Sequence, residues 1–137
     1  MRMHILLSTA ALLACGDSLE PADVVGSYTL ATIADQAPPR TIVDEPDCRI
    51  TVVGGSLSLT ADQQFELLLQ EDEACPTPTA PGQVTELWAG SYGLDGTAVV
   101  LHVLGDSPVD IRAPVRTDQV LVPLGSRYGE VAFSPNQ

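Results

Sequence analysis

Apolar residues alternate with polar ones along most of this chain, the two-residue period of strands with one buried face. The clearest case lies between Cys48 and Cys75. Ile50, Val52, Leu57 and Leu59 precede a turn at Thr60-Ala61-Asp62-Gln63, and Phe65, Leu67 and Leu69 follow it. Alternating runs on both sides of a turn predict a β-hairpin. Its cysteines lie symmetrically about the Ala61-Asp62 step, at the open end, well placed for a cross-strand disulfide. The register contains a mismatch. Setting Leu59 opposite Phe65 and Leu57 opposite Leu67 leaves the cysteines one residue out of step, and such a slip turns every side chain beyond it to the other face. One extra residue on the first strand reconciles both constraints, so a β-bulge is expected at Gly54-Gly55.

The same pattern recurs on either side. Val24 to Ile33 reads as a first strand, broken by Gln36-Ala37-Pro38-Pro39, and Arg40 to Val43 as a short second one before an acidic loop. Residues 76–85 read as a Pro-rich loop. Val84 to Leu94 then meets Thr97 to Leu104 across Asp95-Gly96, a strong hairpin signal. With those two residues as the turn, Tyr92 pairs with Val99, Gly90 with Leu101 and Trp88 with Val103, all on one face, with Ala89 and His102 on the other. Val109, Ile111, Ala113 and Val115 alternate up to a turn at Thr117-Asp118. Pairing Val115 with Val120 then aligns Ala113 with Val122 and Ile111 with Leu124. Pro114 and Pro123 cannot donate to a ladder, so these strands are short or at an edge. Tyr128 to Phe133 reads as a closing strand, with Val131 and Phe133 as inward candidates. No segment has helical periodicity. The expected fold is all-β: an antiparallel meander of roughly eight strands, joined as consecutive hairpins, that closes into an up-and-down barrel and so removes its edges.

Length and composition set the scale. The 137 residues suit one domain, and 45% apolar content with only six aromatics predicts an aliphatic core. Eighteen acids face six arginines and no lysine, a net charge of −12. That argues against a nucleic-acid partner, which needs clustered basic residues, and against docking on anionic lipid by charge. Acidity favours solubility and self-repulsion.

The start of the chain reads as a targeting segment. Met1-Arg2-Met3-His4 is followed by an apolar run from Ile5 to Ala14, too short to span a bilayer and suited to a signal-peptide core. It ends in Leu12-Leu13-Ala14-Cys15, which resembles the bacterial lipobox, with Leu13 a less usual residue at its place. The resemblance implies cleavage before Cys15, with residues 1–14 as signal peptide, diacylglycerol on the Cys15 sulfur, and residues 15–23 as a lipidated tether. Several acyl chains on one residue anchor a protein stably. The alternative is an ordinary cleaved signal with Cys15 a free thiol. Lipidation also resolves the odd cysteine count, leaving Cys48 and Cys75 as a pair in an oxidising compartment. Their disulfide closes a loop worth about 3.5 kcal/mol in the chain-entropy model.

Gly26-Ser27-Tyr28-Thr29-Leu30 resembles the Gly-x-Trp start of lipocalin-type barrels, with Tyr28 in the Trp place. Together with the words from Gly55 to Phe65 and from Gly90 to Gly96, it resembles the lipocalin-like domains of bacterial lipoproteins, over about residues 24 to 133. Gln63, where glycine would suit the turn better, departs from the pattern. The resemblance implies a lipocalin-like domain over residues 24–137, in a lipid-anchored protein facing the periplasm or cell exterior.

Reactive chemistry is sparse. After cleavage, His102 is the one histidine, there is no lysine, and no thiol remains unpaired, which removes most nucleophile–base pairs and His-based metal sites. No serine sits at a strand-to-helix elbow, and Gly54-Gly55-Ser56 opens no helix, so it is a poor phosphate loop. The chain is therefore expected not to be an enzyme and to carry no cofactor. Two acidic groups flank the cysteines: Asp44, Glu45 and Asp47, and Glu71, Asp72 and Glu73. Oxygen-rich clusters can bind Ca²⁺, but their spacing matches no calcium loop, so two solvated loops are the preferred reading and no metal is expected. The functional expectation is a barrel that holds a small apolar ligand, lined by Tyr28, Phe65, Trp88 and Tyr92. The alternative is a structural or protein-interaction module of the envelope, in which these four side chains merely fill the core. A third reading has the acidic loops inhibit or buffer a partner. A cavity of roughly 300 Å³ or more would separate the first two.

Overall fold

A computed structural model describes residues 18–76 and 82–136. The expected signal segment and the lipobox-like Leu12-Leu13-Ala14-Cys15 lie outside the described residues. A four-residue helical turn, α1 (Pro21–Val24), leads into β1 (Gly26–Ile33), β2 (Arg40–Glu45), β3 (Cys48–Leu59), β4 (Gln64–Ala74) and β5 (Gly82–Asp95). Then come β6 (Ala98–Val103), β7 (Val109–Arg116), β8 (Gln119–Pro123), a second helical turn α2 (Gly125–Tyr128) and β9 (Glu130–Pro135). From β3 to β9 each strand pairs antiparallel with the next, β9 pairs with β1, and β1 returns to β3 through Gly26↔Leu59 to Thr29↔Ser56. The result is an eight-stranded closed antiparallel barrel with β2 as an extra strand, an architecture that fits a lipocalin-like barrel.

Closure corrects the expectation of consecutive hairpins at one point. β1 does not pair with β2. Both lie on the same edge of β3, which is long enough to serve two neighbours: β2 takes Cys48 to Val52 and β1 takes Ser56 to Leu59. The chain leaves β1 through Ala34 and Asp35, both at positive φ, and Arg40 at the start of β2 donates to the carbonyls of Ile33 and Ala34. Pairing with β3 also draws in Asp44 and Glu45, so the expected acidic loop shrinks to a tight turn between Glu45 and Cys48. The Pro-rich loop is likewise shorter than expected, since β5 begins at Gly82 opposite Glu73.

The opening hairpin has the expected register, with Leu59↔Phe65 and Leu57↔Leu67, and a disulfide joins Cys48 to Cys75 with their Cα atoms 4.2 Å apart. Its bulge exists but lies one residue early. The register shifts between Val52 and Gly54, so Val53 is the extra residue, and Gly54 and Gly55 stay paired. The shift lets Ile50 and Val52 before it and Leu57 and Leu59 after it all face inward. Gly55 serves close approach instead, because a Cβ there would lie 2.6 Å from the Leu68 carbonyl oxygen.

The β5–β6 hairpin also differs. Gly96 and Thr97 are the central turn residues, so Tyr92 faces Leu101 and Gly90 faces Val103. Gly96 has φ +60° and Thr97 is not at positive φ, which suits a type II′ turn with glycine first. The displacement is two residues, so every side chain keeps its face. Between β7 and β8 the ladder is only Val115↔Val120 and Arg116↔Gln119. Pro114 lacks an N–H and stops it, so the aligned pairs Ala113/Val122 and Ile111/Leu124 do not form, although Ala113 and Val122 are both buried.

The core is aliphatic, as expected, with Val131 and Phe133 fully buried in it. The two ends of the barrel differ. One gathers the turns after β3, β5 and β7 and is stoppered by α1: Val24 is buried, Leu19 N–H donates to the Gly96 carbonyl, and Tyr28 Oη donates to the Val24 carbonyl at 2.6 Å. The other end, where β4 finishes and β5 begins, carries the disulfide and α2.

Candidate functional site

The inward phase of β4 runs Phe65, Leu67, Leu69 and then continues into Glu71 and Glu73 as the strand nears the second end. On β5 the inward phase carries Trp88 and then Glu86 toward the same end, with Trp88 paired to Leu67 and Glu86 to Leu69. Tyr128 and Arg127 arrive from α2. One carboxylate oxygen from each of Glu71, Glu73 and Glu86 lies within 4.8 Å of the others. Glu71 is fully buried. Tyr128 Oη donates to its Oε1 at 2.6 Å, while its Oε2 has no hydrogen-bond partner. The Arg127 guanidinium sits 3.6 Å from Glu71 Oε2 and 4.0 Å from Glu73, beyond strong hydrogen-bond reach, and 5.4 Å from the Tyr128 ring centroid. Trp88 packs edge-to-face on Tyr128 with ring centroids 5.8 Å apart.

This arrangement sets the proton affinities. Burial pushes Glu71 above the ordinary carboxylate range, against the opposing pull of the Tyr128 hydrogen bond and Arg127; Glu86 and Glu73 add to the rise. Burial, then the Glu71 carboxylate, raises Tyr128 far above the usual phenol value. The native state therefore holds the Glu71 proton to higher pH than the unfolded chain does. Stability tied to this group is present in full below the ordinary value of 4.5 and is lost as pH rises through the raised native value. Glu71→Gln keeps an acceptor for Tyr128 and removes the charge. In chelator-treated buffer its melting temperature is expected to match wild type near pH 4 and to exceed it at pH 7. A variant less stable than wild type at pH 7 would show that Arg127 and Tyr128 compensate the charge in full.

Compared with protein-family models, curated proteins and solved structures, this chain matches none of them. The site therefore stands on its own geometry.

The residues expected to line a ligand separate into two groups. Tyr28, Phe65 and Tyr92 are buried and fill the stoppered half. Burial raises both phenols, and each is committed to a backbone carbonyl, Tyr28 to Val24 and Tyr92 to Thr60. Trp88 alone reaches the mouth. The six acidic residues beside the cysteines also divide. Strand alternation turns Glu71 and Glu73 inward and Asp72 outward, while Asp44, Glu45 and Asp47 are exposed around the β2–β3 turn. His102 is exposed on the outer face, as expected, with Nδ1 2.7 Å from the Asp110 carboxylate of the neighbouring strand. Arg127 and Glu86 have no counterpart in the sequence reading, and Tyr128, expected to open the closing strand, lies in α2 instead. Glu86 was legible, since it shares the inward phase of Trp88 and Tyr92. Arg127 and Tyr128 belong to a four-residue turn too short to show a period.

Proposed function

We propose that this protein is a lipid-anchored lipoprotein of the bacterial cell envelope, lipocalin-like in kind, that binds a small molecule at the α2 end of its barrel. It acts by binding and not by catalysis. The observation that carries the reading is the set of groups at the α2 end, where Trp88, Tyr128 and a buried glutamate meet beside a cavity of about 250 Å³ lined in part by Arg40, Ile42, Arg127 and Tyr128. Leu104 and Val109 are 75% and 53% exposed where β6 gives way to β7 at the same end, which suits a ligand with an apolar body. The lipobox-like Leu12-Leu13-Ala14-Cys15 supports the anchor. Cys15 stands three residues before Ser18, a span of about 11 Å at most. Because Leu19 bonds to Gly96 at the stoppered end, an anchor there points the mouth away from the membrane.

Native mass spectrometry of the protein purified from its own envelope tests both parts. The expected species carries acyl mass on Cys15 and a co-purifying small molecule. A free Cys15 thiol removes the anchor, and a bare polypeptide from gentle preparations removes the ligand. The filled stoppered half favours one second reading, an envelope interaction module without a ligand, and a bare lipidated chain would support it.

A further inference from the structure

We propose that the barrel mouth is a calcium site, with Glu71, Glu73 and Glu86 as its carboxylate ligands. Oxygens that bind one Ca²⁺ at about 2.3–2.6 Å stand up to about 5 Å apart across the ion. The three carboxylates already present oxygens within 4.8 Å of one another, a spread that one Ca²⁺ can span.

A second observation points to a ligand independently of that convergence. Glu71 is fully buried, and its Oε2 accepts no hydrogen bond, with the Arg127 guanidinium 3.6 Å away. The adjoining inward positions, Val52 and Leu69, are apolar and fully buried, so packing alone asks for an aliphatic side chain here. A buried carboxylate oxygen without a donor is costly, and a cation removes the cost. Tyr128 holds Oε1 and thereby orients the carboxylate, as outer partners of metal ligands do.

Charge fits the same occupant. Three carboxylates against one guanidinium leave an excess of two negative charges when all are ionised, which one divalent cation neutralises. Arg127 is 43% exposed and stands 3.6 and 4.0 Å from its acidic neighbours, so it can yield room to the ion and still sit beside the carboxylates. The ligands come from two adjacent strands whose ends the Cys48–Cys75 disulfide and the β4–β5 ladder hold in place. The set is different from the two acidic groups flanking the cysteines, since Asp44, Glu45, Asp47 and Asp72 take no part. The site depends neither on a lipid anchor nor on an organic ligand.

The test is calorimetric titration of the chelator-stripped, disulfide-intact mature chain with CaCl₂ at constant ionic strength, paired with thermal unfolding. One saturable site is expected, with a Kd of about 10⁻⁴–10⁻³ M, as in extracellular calcium modules. The melting temperature should rise by about 3 °C or more at 10 mM calcium, with a smaller rise for magnesium and none for matched sodium. Glu86→Gln should weaken binding by about tenfold or more, because affinity follows the number of ligand charges. Arg127→Gln should tighten it. Asp72→Asn makes the same charge change on the outer face of β4 and should leave the Kd unchanged. Should Glu86→Gln fold poorly, Glu73→Gln serves in its place. No saturable binding below 10 mM overturns the proposal. So does an equal loss in Asp72→Asn, which would reveal diffuse screening, or binding of methylammonium in place of calcium.

Discussion

Gly90→Ala is expected to destabilise the barrel by about 3 kcal/mol or more, at the upper end of what overpacking costs. Gly90 lies in the inward phase of β5 and pairs with Phe65 on one side and Val103 on the other. A methyl group built there runs into the backbone carbonyl oxygen of His102 and comes 3.2 Å from Phe65 Cε1. The phenyl edge can yield by a few tenths of an ångström. The carbonyl belongs to β6 and cannot move without opening the ladder that holds Tyr92 against Leu101. Gly93 is the natural control, because a methyl group there finds its nearest neighbour, His102 Nε2, at 3.7 Å. Urea unfolding should place Gly93→Ala within about 0.5 kcal/mol of wild type. Equal midpoints for the two variants would mean that the close approach at Gly90 is not needed for closure.

Removing the disulfide with Cys48→Ala and Cys75→Ala together should cost about 3.5 kcal/mol, the loop-closure value for cysteines 27 residues apart. Against the ~5–15 kcal/mol typical of a small domain, that is a large share. A fall in melting temperature of roughly 10–15 °C is the corresponding readout. The folded barrel should survive, since the β3–β4 ladder runs on from Arg49↔Ala74 to Leu59↔Phe65 without help from the bridge. A loss below about 1 kcal/mol would show that the unfolded chain already keeps this hairpin together, because the entropic gain requires an otherwise open loop.

Much of the fold was legible because its signals are local. In the β3–β4 hairpin, a turn and two alternating runs fix both partner and register over a dozen residues. The bulge was legible too, through the one-residue conflict between the leucines and the cysteines, but its place was not. Glycines suggested Gly54-Gly55, whereas Gly55 is needed where β3 passes close to the Leu68 carbonyl, a contact between strands that no spacing encodes. The β5–β6 turn shows the same limit. Asp95-Gly96 marks a turn, yet whether Gly96 is its first or second central residue depends on backbone handedness and moves the ladder by two positions.

The mouth cluster was legible only in part. Spacing marks Glu71 and Glu73 only as acids shortly before Cys75, although both share the inward phase of Leu67 and Leu69. Their partners come from far away in the chain: the Tyr128 hydroxyl reaches Glu71 across 57 residues.

The sequence by itself determined where most of the strands lie, which face most of their residues present, and which cysteines meet, since alternation and turn chemistry act between near neighbours. The tertiary structure alone decided that β1 and β2 share one edge of β3, that α1 stoppers one end, and that three glutamates, an arginine and two aromatics converge at the other. Those outcomes follow from closing the sheet. Once the last strand must pair with the first, strand lengths and the bulge at Val53 set which distant side chains arrive at the same level of the barrel.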